Sequence, residues 1–293
     1  MTIFLTGASG LLGNTIAKQL LDLGYSVHGT IHKTNVSLPG LIPHQVDLSN
    51  PIELGDCLLK VQPEALVNAA ALSIPTHCTS NPALSQSLNV DLPVRLAAIA
   101  RKLKSRYIHF STDMVFDGKR GNYSEQDTPT PTNLYAEHKL ASETWIQENT
   151  TESCIIRLPL LMGNSISGTR SVHEAHWQRW KVGQITPLFE DEFRTPVSIS
   201  SVAELTAELL SKKDIQGLFH WAGTTVVNRW EMGKQIAAKL GVPKDLLLKT
   251  QARSDPRFQD RPLDLTLNIS RLKALVATEP PTFEDQLDEI TTL

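Results

Sequence analysis

Thr2-Ile3-Phe4-Leu5-Thr6-Gly7-Ala8-Ser9-Gly10-Leu11-Leu12-Gly13 sets the reading of everything that follows it. Thr2 to Thr6 reads as a short buried strand. From Asn14 to Leu23 the apolar residues Ile16, Ala17, Leu20, Leu21 and Leu23 recur with helical spacing, and Gly24 stops the helix. Between them, Gly7, Gly10 and Gly13 let the backbone turn tightly and approach a pyrophosphate, whose charge then rests at the helix N-terminus. The spacing is G-x-x-G-x-x-G rather than G-x-G-x-x-G, and a plain glycine-rich turn is the competing reading.

Working outward, Tyr25 to Ile31 reads as a second strand. A carboxylate at its end would hold the adenosine ribose and repel a 2′-phosphate. This chain has Thr30, His32 and Lys33 there instead, which favours NADP(H) and leaves NAD(H) open. Gln45 to Leu48 is expected as the third strand, with Asp47 near an adenine. Pro51 to Val61 reads as a helix, and Ala65 to Ala71 as an apolar strand ending in small residues. Pro82 to Lys104 reads as one long helix, and Arg106 to Ser111 as the next strand. The alternation continues through a helix from Leu134 to about Asn149 and a strand from Ser153 to Leu161. The fold class is therefore α/β, a Rossmann-type doubly wound parallel sheet over residues 1–160. Residues 161–293 form a smaller substrate-binding lobe, parts of which return to the main sheet.

Lys plus Arg is 28 and Asp plus Glu is 31, a net charge of −3, which gives no electrostatic case for nucleic acid or an anionic membrane. Cys57, Cys78 and Cys154 are sparse and widely spaced, which argues against a disulfide framework and fits a reducing, cytoplasmic location. No secretory signal or membrane span is evident. The expected partner is a small-molecule substrate, and a homodimer is allowed.

The strand that starts at Arg106 ends in Ser111-Thr112-Asp113. Ligand chemistry collects at the carboxyl ends of parallel strands, so a hydroxyl there is placed to meet a substrate carbonyl. Tyr135 and Lys139 are four apart on one helix face. An ammonium beside a phenol favours the phenolate, which makes the tyrosine a usable proton donor near neutral pH. His173-Glu174-Ala175-His176 lacks H-E-x-x-H spacing and an evident third ligand, so no metal is expected. Trp177 and Trp180 pack in a core or stack on a ligand. Arg194 is a candidate for a substrate phosphate, with Arg257 and Arg261 as weaker ones.

Together these motifs resemble the extended short-chain dehydrogenase/reductase superfamily, and within it the dTDP-4-dehydrorhamnose reductase (RmlD-like) group. The matching pieces include Gly7 to Gly13, Asn68-Ala69-Ala70, Asn89-Val90, Ser111 to Gly118, Tyr135 to Lys139 with Glu143, Arg157-Leu158-Pro159 and Arg261-Pro262. The resemblance implies that Tyr135 is the general acid, that Thr112 bonds the same carbonyl oxygen, and that Lys139 holds the nicotinamide ribose. It implies that Gly7, Gly10, Leu11, Leu12 and Gly13 cradle the pyrophosphate, with Asp47 and Leu48 near adenine. Ala69, Ala70, Ala71 and Pro159 would also line the cofactor, and Asp113 and Met114 the substrate. Met114 stands where the group usually has tyrosine, and Ala136 where glycine is common. A second resemblance, carried by Gly217 to Gly223, Asn133-Leu134-Tyr135, His176-Trp177-Gln178 and Trp230-Glu231-Met232, is to the methionine adenosyltransferase regulatory β subunit. It implies the same fold and cofactor in a non-catalytic role.

Overall fold

In the first strand, β1 (Thr2–Thr6), every residue after Thr2 is buried, because neighbours pair on both edges and helices cover both faces. The structure is a computed structural model and describes residues 1–31, 37–254 and 261–291. The main sheet adds β2 (Ser26–Ile31), β3 (Ile42–Gln45), β4 (Ala65–Asn68), β5 (Arg106–Thr112), β6 (Ser153–Leu158) and β7 (Gly217–His220). These seven strands run in the order β7-β6-β5-β4-β1-β2-β3, and every pairing is parallel. The order reverses between β1 and β4, so a crevice opens at the carboxyl ends of those strands.

Side chains alternate across each strand, so the sheet sorts its apolar residues to two faces. Ile3, Leu5, Ile108 and Ile156 point to one, under α1 (Leu11–Asp22) and a helix at Ile199–Ser211. Phe4, Leu66, Tyr107 and Ile155 point to the other, under helices Pro51–Val61, Leu92–Leu103 and α2 (Leu134–Asn149). β7 lies beyond residue 160 and pairs with β6, so the second half contributes directly to the main sheet. The rest of that half surrounds its own cluster, which includes Met162, Trp180, Val227, Met232, Ile236 and Phe283. Among the described residues no helix is long and apolar enough to cross a membrane.

Two expectations shift, and one element is new. The third strand is Ile42–Gln45, not Gln45–Leu48. It is an edge strand, mostly exposed, and therefore carries Pro43 and no apolar alternation. The long helix from Pro82 is interrupted by a π-helical turn at Ser87–Asp91, after which Leu92–Leu103 resumes. A short helix at Pro75–Ser80 occupies a stretch with too little apolar period to announce itself.

Candidate active site

The glycine turn is built against the sheet. Gly7 has φ +74, and its N–H donates to Thr30 Oγ1 at 2.9 Å. Gly10 N–H donates to Gly7 O at 2.8 Å. A Cβ on Gly13 would lie 2.1 Å from Gly7 O, so only glycine lets α1 pack this closely. Gly10 is the N-cap of α1, and no side chain caps that helix. The first-turn N–H groups therefore present a positive, uncapped end, which fits a dinucleotide pyrophosphate.

The other expected cofactor residues are distributed unevenly. Thr30 is buried and its hydroxyl oxygen accepts from the Gly7 amide, so it supports the turn. His32 and Lys33 lie outside the described residues. Asp47 falls past the end of β3, where Oδ1 accepts from Ser49 N–H at 2.9 Å and Ser49 Oγ at 2.6 Å. Leu48 is half-buried and packs under the second face of the sheet. Ala69 and Ala70 follow β4 and lie against Gly7, whose added Cβ would stand 3.0 Å from Ala70 N; Ala71 is exposed. Leu11 and Leu12 open α1, and Pro159 follows β6 and is buried.

The chemical groups meet at the end of β5. Thr112 is its last residue, and its Oγ1 donates to Asp113 Oδ1 and accepts from Met114 N–H, each at 3.2 Å. Tyr135 sits in the first turn of α2, whose entry is fixed by Asn133 Oδ1 accepting from Ala136 N–H at 3.0 Å. Thr112 and Tyr135 are both buried. Burial pushes the phenol above its ordinary pKa, the Asp113 carboxylate adds to the push, and Thr112 opposes it. Burial also pushes the Asp113 carboxyl up to about 6, against Arg194, Thr112 and the Met114 N–H.

Lys139 departs from the arrangement its spacing suggested. It shares a helix face with Tyr135, but its Nζ bonds into β5, 3.0 Å from His109 Nε2 and 2.7 Å from Phe110 O. The tyrosine is thus not made more acidic by Lys139 in this arrangement, and burial wins. Burial likewise holds Lys139 down, to about 7, with Glu143 opposing. Glu143, one turn on, is gripped by Arg157 of β6 through contacts of 2.6, 3.0 and 3.2 Å, fastening α2 to the sheet. His109 and its partner Asn68 were not singled out as site residues. The available signal was Asn68 as the one polar residue of β4, and His109 between the apolar Ile108 and Phe110.

Around the second lobe, Arg194 lies near Asp113 but does not offer a free fork. Nη1 donates to Phe193 O and Leu263 O, and Nη2 to Pro262 O and Glu192. Arg261 also contacts Glu192, at 3.1 Å, and Arg229 approaches it at 3.9 Å. Burial pushes the Glu192 carboxyl up, yet the three arginines outweigh it and hold it below its ordinary pKa. Arg257 lies outside the described residues. Trp180 packs in the second-lobe core while Trp177 is half-buried on the same helix. His173 bonds Ser171 Oγ and Asn164 Oδ1, and His176 stacks on Trp180. Among the described residues no group of three His, Cys, Asp or Glu could hold a metal ion.

The loop from Val115 to Asp127 is fastened to the second lobe. Tyr123 N–H donates to Thr266 O at 2.9 Å, Asn268 N–H to Tyr123 O at 2.8 Å, and Asp264 N–H to Gly118 O at 2.9 Å.

The model of the RmlD substrate binding domain matches residues 1–292. A probable low-salt glycan biosynthesis reductase, Agl14, of Haloferax volcanii is 30% identical over 290 residues, covering 98% of this chain and 96% of that protein. The methionine adenosyltransferase 2 subunit beta of Bos taurus is 28% identical, covering 93% of this chain and 82% of that one. A hypothetical dTDP-4-dehydrorhamnose reductase from Sulfolobus tokodaii superposes with a TM-score of 0.85 at 27% identity, covering 100% of both chains. The fold is also that of the Bacillus anthracis dTDP-4-dehydrorhamnose reductase solved with NADP, with a TM-score of 0.85 at 19% identity over 98% of this chain and 97% of that one.

Proposed function

Because the chain belongs to the family of the RmlD substrate binding domain, we propose that it reduces a keto group on a nucleotide-linked deoxy-sugar with NADP(H). The observation that carries this reading is that Thr112, the last residue of β5, and Tyr135, in the first turn of α2, are both buried, in a chain whose glycine turn leaves α1 uncapped. When bound, the cofactor supplies the hydride.

The chain's own residues supply orientation and a proton. Gly7, Gly10 and Gly13 bring backbone N–H groups to the pyrophosphate. Thr112 donates a hydrogen bond to the carbonyl oxygen as negative charge develops on it, and Tyr135 gives that oxygen its proton. Burial keeps Tyr135 protonated until that moment, which suits a donor. Lys139 as a cation would hold the ribose and compensate the phenolate left behind. On the substrate side, three arginines share one carboxylate, Glu192, and one of them, Arg194, acts on Asp113. That cluster of arginines supports an anionic substrate such as a nucleotide diphosphate ester, even though Arg194 itself is spent on carbonyls.

A screen of NADPH consumption over keto-sugar nucleotides tests the reading, with NADH beside it to rank the cofactors. Turnover of one such substrate is the expected result; NADPH binding with no turnover of any keto-sugar nucleotide refutes the reductase. The likeness to the methionine adenosyltransferase subunit supports one other reading, a non-catalytic NADP-binding regulatory subunit. Co-purification with a methionine adenosyltransferase catalytic subunit, without turnover, would favour it.

A further inference from the structure

Lys139 and Tyr135 sit on one helix face, yet Lys139 takes its partners from a different part of the molecule. A chain of buried polar groups crosses three strands to reach it. Thr6 Oγ1 donates to Asn68 Oδ1 at 2.6 Å, Asn68 Nδ2 lies 3.0 Å from His109 Nδ1, and His109 Nε2 lies 3.0 Å from Lys139 Nζ. The strand register sets this row, because Thr6 pairs with Asn68 and Asn68 with His109. All four residues are buried, so each hydrogen must be accounted for within the chain.

The accounting starts at a backbone group. Ala70 N–H can only donate and is shared between Asn68 Oδ1 at 3.3 Å and Thr6 Oγ1 at 3.4 Å, so an Asn68 amide turned the other way would set its NH₂ against that N–H. The Asn68 oxygen therefore faces Ala70 and Thr6, and its NH₂ faces His109. His109 Nδ1 must accept, so the neutral imidazole carries its hydrogen on Nε2. Burial and the neighbouring Lys139 push His109 well below its ordinary pKa, so the ring is neutral. That Nε2–H points at Lys139 Nζ. An ammonium has no lone pair to receive it, whereas an amine has one and still donates to Phe110 O at 2.7 Å.

The surrounding charges do not overrule this. Glu143 is the carboxylate that acts on Lys139 from its own helix, but Arg157 of β6 takes both of its oxygens. Tyr135 is protonated, and Asp113 lies on the Thr112 side with a raised pKa.

We propose that His109 holds Lys139 as the uncharged amine, and that binding the cofactor draws one proton from solution onto Lys139. This rests on the reading that the cleft binds NADP(H). Ribose oxygens and pyrophosphate charge brought into the cleft favour the ammonium. The ammonium in turn favours the Tyr135 phenolate, so the tyrosine becomes acidic only when cofactor is present. His109 acts through Lys139 and is a positioning residue.

The test is calorimetric titration of NADPH into the full chain at pH 8.5, in two buffers of different ionisation enthalpy, which reads protons taken up per cofactor bound. The 2′-phosphate, with a second pKa of about 6, is already ionised there and contributes nothing. The wild type should take up about one proton, and Lys139→Met none. His109→Ser opens room for a water that accepts from an ammonium, so Lys139 should already be charged and uptake should fall below about half. Saturable binding without uptake overturns the proposal, as does undiminished uptake in Lys139→Met or in a folded His109→Ser. If Lys139→Met binds no cofactor, the wild-type value decides. A wild type that binds no NADPH loses the cofactor reading and this proposal with it, whereas binding without uptake defeats the proposal alone.

Discussion

Replacing Arg157 with methionine isolates what fastens α2, and with it Tyr135, to the sheet. The guanidinium makes contacts of 2.6, 3.0 and 3.2 Å with Glu143, and the two side chains are 2% and 0% exposed. It also lies over the Phe116 ring, 5.0 Å from its centroid. Methionine fills much of the same volume, but it leaves the Glu143 carboxylate buried without the hydrogen bonds that Arg157 gives it. Breaking such a pair from one side costs about 3–5 kcal/mol. For a chain of this size that is a fall in Tm on the order of 10 °C. Removing both charges is a different perturbation, because no ion is then left in an apolar setting. Arg157→Met/Glu143→Leu should return to within about 1 kcal/mol of the wild type. Urea unfolding followed by tryptophan fluorescence gives the midpoints, with an unchanged m-value as the check that only stability moved. A single variant that loses less than about 1 kcal/mol, or a double variant as unstable as the single, would refute the assignment of the anchor to this pair.

Three further outcomes follow from the same geometry. Gly13→Ala places a Cβ 2.1 Å from Gly7 O, so NADPH binding by fluorescence titration should be lost or weakened at least tenfold, on the order of 1.4 kcal/mol. If, as proposed, the Thr112 hydroxyl turns from Asp113 to the substrate oxygen, Thr112→Val should lower kcat by about 10²-fold with little change in KM. Asp113 has its pKa raised to about 6 from 3.8, so ionising it opposes folding as pH rises through that window. Asp113→Asn should therefore gain up to about 3 kcal/mol over the wild type at pH 8, a gain that shrinks toward pH 4, read from urea midpoints.

The parts of the fold that sequence disclosed were those with a strong local reason. β1, the glycine turn and α1 follow from apolar spacing and from Gly7 and Gly13, the first at φ +74 and the second with no room for a Cβ. Asn133 caps α2 where the helix was expected to begin, and Pro51 opens its helix behind the Asn50 cap. β3 was misplaced because an edge strand does not need an apolar face. The π turn at Ser87–Asp91 was invisible because it changes hydrogen-bond spacing without changing composition. At the site, spacing identified Thr112, Tyr135 and Lys139 as candidates but not where Lys139 turns. That depends on the register that sets Thr6, Asn68 and His109 side by side, a property of pairing between distant segments. Arg194 read as a free phosphate ligand because its carbonyl partners, Pro262 and Leu263, lie far away in the chain.

The central claim is that Tyr135 is the proton donor of a reductase built on this cleft. Its most direct test is the rate of NADPH loss with a keto-sugar nucleotide in the wild type and in Tyr135→Phe, alongside NADPH affinity in both. The account predicts that turnover falls by at least about 10²-fold while affinity changes less than about threefold. Turnover in Tyr135→Phe equal to the wild type would contradict it.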